Sequence, residues 1–239
     1  MLGDTRLLVQ SWREGGLTLP EIHSVLGKET LARSRDIFAE SFRPRMITGN
    51  PPEAWRVCRL VEDRQADQSS IRAIYYWVTA RCEATLHAFV IDEVYPRFLQ
   101  GLWVVQVNDC VRWLKESLAR ADINWTPSVT VRVAQGMLAA LRDFGILEGR
   151  ARKRIAPPDL SLEAISLLAF LLHRYTGASG KSLLESPDWK LFLLSPNHVE
   201  RLFLEAHQSG YLNYQAAGST VRIEFPTDDL KEYVGKLFG

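Results

Sequence analysis

Apolar positions along this chain recur mostly at steps of three and four, the spacing that gathers them on one face of an α-helix. The longest such stretch runs from Ser69 to Val94, with Ile74, Trp77, Val78, Cys82, Thr85, Leu86, Phe89 and Val90 as its stripe and Pro96 and Gly101 closing it. Shorter helices are predicted over Leu17–Leu26, Lys28–Phe42 and Pro52–Asp63, the last burying Trp55, Cys58 and Val61. Between the second and third, Gly49 and two prolines break the pattern. A further helix near Val105–Ala121 turns Val107, Val111, Leu114 and Leu118 inward. Behind a capping Ser161, the run Ile165–Leu172 is apolar on every side, which predicts a core helix. Pro187–Leu194 predicts a short helix, and Thr227 is the expected cap of a terminal helix carrying Leu230, Tyr233, Val234 and Leu237.

One phrase is written twice. Thr126-Pro127-Ser128 opens a helical stretch that ends at Gly145, followed by Ile146-Leu147, a basic run and Ile155. Ser195-Pro196-Asn197 opens a second that ends at Gly210, followed by Tyr211-Leu212, a Gly-bearing turn and Val221–Phe225. In each, a hydroxyl caps a helix, Pro occupies its first turn, Gly ends it, and an apolar pair starts a strand that doubles back. Helix followed by hairpin is the order of a winged helix, a module whose helix enters a DNA groove or serves as a protein-docking surface. The predicted fold is mainly α: a compact helical protein with helix-turn-helix or winged-helix-like modules and two small β-hairpin wings. Four regions are expected. They are an N-terminal helical region (1–64), central helices (65–124), the first winged module (125–158), and C-terminal helices with the second (159–239).

The composition, 46% hydrophobic and 24% charged, is that of an ordinary soluble globular chain. Formal net charge is +1, so attraction to phosphate must come from a local patch. The three cysteines are far apart and lack metal-ligand spacing, which fits a reducing cytoplasm. No apolar run approaches the roughly 20 residues that span a bilayer, and a cytoplasmic location is expected.

Such a patch lies in the first module. Val129, Val133, Met137, Ala140, Leu141 and Phe144 mark one face of its helix, and Ser128, Arg132, Gln135, Ala139 and Arg142 the opposite one. Arg and Gln donate to phosphates and base edges, while the bland alternative is a solvated polar face. Arg150, Arg152, Lys153 and Arg154 then crowd the expected wing tip, suited to phosphate contacts; the alternative is a solubilising loop. The second module offers Asn197, Arg201, Glu205 and Gln208 with only Arg222 in its wing, a set better suited to packing or docking. Near the N-terminus, Pro20–Leu26, a turn at Gly27 and a longer helix carrying Arg33 and Arg35 resemble a helix-turn-helix, with Arg43 and Arg45 just beyond. Glu29, Asp36 and Glu40 could instead pair with these arginines along the helix.

Enzyme signals fail on their context. Gly180-Lys181-Ser182 resembles the end of a phosphate-binding loop, but Tyr175 takes the place of its first glycine and a helix precedes it where a strand is required. Pro158-Asp159 with Asp188-Trp189-Lys190 mimics a nuclease set, yet both sit where Pro and Asp punctuate helix starts. The five histidines are scattered, without metal spacing. Neither catalysis, a cofactor nor a metal is expected.

The order of Ser34–Phe42, Trp77–Tyr95, Trp125–Ser128, Leu141–Leu147 and Pro187–Leu193 resembles the BrxA family of the BREX bacteriophage-exclusion systems. The resemblance implies a helical monomer with helix-turn-helix elements that binds double-stranded DNA through basic surface. It also implies a non-enzymatic role beside methyltransferase, ATPase, phosphatase-like and protease partners of the same defence system. That basic surface maps onto Arg132, Arg142 and Arg150–Arg154, with Arg33, Arg35, Arg43 and Arg45 as a second patch. An adaptor joining larger defence enzymes is the alternative, and seven tryptophans and the near-neutral charge suit it.

Overall fold

A computed structural model describes residues 2–150, 152–218 and 220–239; Ala151, within the expected first wing, lies outside them. In chain order, α1 (Leu2–Ser11), α2 (Leu19–Leu26), α3 (Leu31–Ile37), α4 (Trp55–Asp63) and α5 (Gln68–Cys82) come first, and α3 continues as π-helical turns over Phe38–Ile47. Next, α6 (Ala84–Phe89) and α7 (Tyr95–Leu99) flank a π-helical turn at Val90–Val94. They are followed by β1 (Val104–Val105), α8 (Val107–Arg120), α9 (Pro127–Asp143), β2 (Leu147–Glu148) and β3 (Lys153–Ile155). After α10 (Leu162–Thr176) and α11 (Gly180–Leu184), a 3₁₀ turn at Pro187–Phe192 leads to α12 (Pro196–Gln208), β4 (Asn213–Ala217), β5 (Thr220–Glu224) and α13 (Leu230–Phe238). The protein is thus mainly helical, with two small antiparallel sheets.

The chain divides into two compact units. One holds the residues up to Cys82 together with Leu160–Ser186 and Ser195–Gly239; the other holds Glu83–Asp159 and Pro187–Leu194. In the first unit, α5 and α10 carry the core. Ile74, Trp77, Val78 and the whole of Ala164–Leu172 are buried, as the all-round apolar run of α10 demands. Phe170 packs against Tyr233 with the rings tilted by 32° and centroids 4.7 Å apart, and meets Phe225 edge-on at 5.3 Å. Burying each such side chain contributes about 1.5–3 kcal/mol.

A charged network ties α1, α4 and α5 together. The guanidinium of Arg6 donates to both carboxylate oxygens of Glu62 at 2.6 and 2.8 Å, and Gln10 and the Tyr75 hydroxyl donate to the same carboxylate. Burial alone would raise the Glu62 pKa, but these donors outweigh it and hold the carboxyl below its usual range. A depressed folded-state pKa gives stability that is present above the unfolded value and is lost as pH falls through the folded one. Glu62→Gln is therefore expected to cost about 2 kcal/mol near neutral pH. It should also flatten the stability profile between about pH 5 and pH 3. Denaturant melts at each pH measure both effects.

Helix boundaries follow local caps. Thr126, Ser161 and Ser195 each accept from the backbone three residues on, the first and last as the repeated phrase predicts and Ser161 as the cap expected of α10. Elsewhere the expectations need correction. The predicted Ser69–Val94 helix is broken at Glu83, whose backbone leaves the helical region, and Thr85 beyond the break is exposed. Periodicity continued across a rotation that it cannot detect. The terminal helix is capped by Asp229, which accepts from Glu232 N at 2.7 Å, while Thr227 instead donates to the Glu232 carboxylate. Val105 belongs to a strand and not to α8, because Gln106 N donates to Asp109 at 2.9 Å and fixes the helix start after it. On α8 itself Cys110, Trp113 and Leu114 are buried, whereas Val107, Val111 and Leu118 are only partly covered.

Within the second unit, β1, β3 and β2 form a three-stranded antiparallel sheet in that order. Val104 and Val105 face Arg154 and Lys153, and Leu147 and Glu148 face Ile155 and Arg154. Val105, Leu147 and Ile155 are buried on one face of this sheet. In the first unit, β4 and β5 form a hairpin that is two-stranded among the described residues.

Candidate nucleic-acid interface

The second unit sets α9 beside the three-stranded sheet in sequence and packs it against α8. Thr126 starts α9 by accepting from Val129 N at 3.4 Å, and the Thr130 hydroxyl donates to Thr126 O at 3.1 Å. The inward face is Thr130, Ala134, Met137, Leu138, Ala140, Leu141 and Phe144. It is rotated from the predicted stripe, leaving Val129 and Val133 half-buried. Ser128, Arg132, Gln135 and Arg142 are exposed as predicted; Ala139 is half-buried. Arg142 pairs with its neighbour Asp143 at 2.9 Å, so part of its charge is spent locally. Arg132 makes no ion pair with a described residue.

Gly136 lies in the exposed face, next to Gln135 and one turn from Arg132. A Cβ there would meet nothing within 4 Å, so no packing reason holds a glycine at this place. Glycine in a helix interior costs about 0.5–1 kcal/mol relative to alanine. It leaves a shallow strip of bare backbone between the polar side chains.

The basic run is placed by Gly149. Its φ is +88°, and a Cβ would come within 2.4 Å of Arg152 O, so only glycine closes this turn. Arg150 and Arg152 occupy the turn, whereas Lys153 and Arg154 belong to β3, the central strand. All three arginines are exposed and make no ion pair with a described residue. Lys153 differs, being half-buried with its ammonium donating to Arg150 O at 3.0 Å. Arg154 stands opposite Glu148 in register. An open cavity of about 650 Å³ lies between Arg152 and Gln106, Val107 and Asn108 at the start of α8.

The N-terminal arginines lie in the other unit. Thr30 accepts from Arg33 N at 3.2 Å to start α3, and Arg33 is exposed. Arg35 pairs weakly with Asp36 at 3.4 Å, as the charge spacing allowed. Arg43 and Arg45 sit on the π-helical continuation of α3 and not in a loop beyond it; Arg43 is exposed and Arg45 half-buried. In the second repeat, Asn197, Arg201, Glu205 and Gln208 are exposed, and Arg222 pairs with Glu224 at 2.5 Å. Its cation is thereby offset, as its acidic surroundings implied.

Several of the residues that resembled enzyme motifs are engaged elsewhere. Gly180-Lys181-Ser182 forms α11, with Lys181 3.7 Å from Glu185. Asp188 is buried 3.5 Å from His87, and Lys190 lies over the Tyr95 ring at 5.7 Å, while Asp159 is exposed. Among the described residues, no group of three His, Cys, Asp or Glu is placed to hold a metal, and no helix is long and apolar enough to cross a membrane.

These elements define a mainly helical protein whose second unit presents a polar helix face and an exposed basic turn. A family model described as BrxA matches residues 5–171, and the chain belongs to the BrxA family, which is associated with BREX bacteriophage defence. The matched residues end inside α10, so Pro187–Leu193 and the second helix–hairpin repeat lie beyond them. No curated protein and no solved structure matches the chain.

Proposed function

We propose that this BrxA-family chain is a non-enzymatic, double-stranded-DNA-binding accessory protein of BREX defence, and that residues 104–155 act as a winged helix. The observation that carries this is the exposure of Arg150, Arg152 and Arg154 on a hairpin next in sequence to the polar face of α9. The order strand, helix, helix, hairpin, with β1 completing the sheet, supports it further. In this arrangement α9 lies in the major groove, as recognition helices do. The hairpin arginines hold backbone phosphates, which supply sequence-independent affinity. Gly136 lets the helix approach closely. Only Arg132 and Gln135 are suited to base edges, so binding is largely indifferent to sequence. The N-terminal arginines form a second phosphate-binding surface, weakened by Asp36.

Duplex binding followed by fluorescence anisotropy across a salt series tests this. With Arg150, Arg152 and Arg154 on phosphates, these three contacts are expected to contribute about −2.7 to the slope of log K against log salt. Unrelated duplexes should agree within about tenfold. One strongly preferred site would overturn the indifference to sequence. Absence of binding at low salt would overturn DNA binding itself. It would favour an adaptor, the role suggested by exposed Leu99, Leu102 and Trp103 before β1.

A further inference from the structure

Between α8 and α9 the chain makes a tight, strained connection. The α8 helix closes with Ile123 N donating to Leu118 O at 2.9 Å and Asp122 N donating to Ala119 O at 3.3 Å. This six-to-one closure requires a left-handed residue, which is ordinarily glycine. Here it is Asp122, with φ +55°. Asp is one of the few non-glycine residues that enter this conformation readily. Asp122 lines a cavity of about 510 Å³ together with Lys115, Asn124, Trp125 and Thr130. Lys115 lies two helical turns before Asp122, and neither makes an ion pair with a described residue. Trp125 is half-buried and, like Leu118 and Ile123, also lines an adjacent cavity of about 430 Å³.

An indole, a carboxylate, a carboxamide and an ammonium among the residues lining one space large enough for a nucleobase suit a particular ligand. We infer that this cavity receives one unpaired nucleobase bearing an exocyclic amine (adenine, cytosine or guanine) from bound nucleic acid. The base stacks on Trp125, a contact that every base can make. The Asp122 carboxylate accepts from the exocyclic amine, as acidic side chains do from cytosine. Asn124 donates to or accepts from the remaining ring edge, and Lys115 meets the adjoining phosphate. Thymine has no exocyclic amine and would leave Asp122 without a donor. The inference rests on the DNA-binding proposal, because Trp125 lies three residues before Ser128, where the exposed polar face of α9 begins.

The test compares a fully paired duplex with duplexes carrying a single extrahelical A, C, G or T at one salt concentration. The native chain is set beside Asp122→Gly, which keeps the left-handed backbone and removes the carboxylate. The native chain is expected to bind the A, C and G bulges about tenfold tighter than the paired duplex, as one added stacking contact allows. The T bulge should gain less. Asp122→Gly should bind the paired duplex as the native chain does while no longer distinguishing A, C and G from T. Asn124→Ala, at an exposed position, should reduce the bulge preference with the fold intact. Equal binding of bulged and paired duplexes by the native chain overturns the pocket and leaves duplex binding standing. An undiminished A, C and G preference in Asp122→Gly also overturns it. Failure to bind any duplex overturns the DNA-binding proposal and the pocket together.

Discussion

Replacing Arg150, Arg152 and Arg154 together by alanine is expected to reduce the salt slope of duplex binding by about 2.7, at about 0.9 for each phosphate no longer neutralised. Between 50 and 200 mM salt the native chain should then lose about 40-fold more affinity than the variant does. Lys153→Ala should change the slope far less, because its ammonium already donates to Arg150 O and the side chain is half-buried. The four residues are neighbours in sequence, yet the fold divides them into exposed arginines and a lysine that braces the turn. A triple variant with an unchanged slope would remove this hairpin from the interface and shift attention to Arg132 and to the exposed Arg33 and Arg43. Circular dichroism and thermal melts should show no change in fold, since exposed substitutions of this kind usually stay within about 0.5 kcal/mol.

Trp77→Ala should have the largest effect on stability, a loss of about 3–5 kcal/mol. Trp77 is wholly buried in α5, with the Tyr175 ring 6.5 Å away and the Arg81 guanidinium 5.3 Å from its centroid. Its removal leaves a large cavity and strips two neighbours of a shared packing partner. Domains of this kind are stable by only about 5–15 kcal/mol in total, so the variant should unfold at a markedly lower denaturant midpoint. The slope of the transition should be unchanged. A loss below about 1 kcal/mol would mean that the α5 core rearranges to fill the space.

Much of this fold was legible in the sequence because its signals are local. The caps at Thr126, Ser161 and Ser195 are each one side chain bonding three residues along, and each held. The core character of α10 follows from composition alone. Signals that depend on partners distant in sequence were not legible. β1 is two residues long and becomes a strand only because β3 returns to it from residues 153–154. The break at Glu83 is invisible to periodicity, since both halves keep the same step. In the candidate site, exposure of Arg132, Gln135 and the hairpin arginines was readable from helix geometry and charge. The bracing of Lys153, the local pairing of Arg142 and the left-handed Asp122 are backbone and contact properties. Gly136 and Gly149 could have been noticed in sequence: a glycine mid-helix on a polar face, and one before a basic run.

The division of the chain has a consequence for its synthesis. The second unit is not finished when its main stretch, Glu83–Asp159, has been made, because Pro187–Leu194 belongs to it and buries Trp189, Leu191 and Phe192. The first unit waits longer still, for α12, the β4–β5 hairpin and α13. A growing chain therefore carries both units incomplete until Leu194 has emerged. Neither unit is complete before residues of the other have been made, unlike consecutive domains, although the second is complete once Leu194 has emerged. For the same reason a fragment cut at the end of the family-matched region would hold neither unit whole.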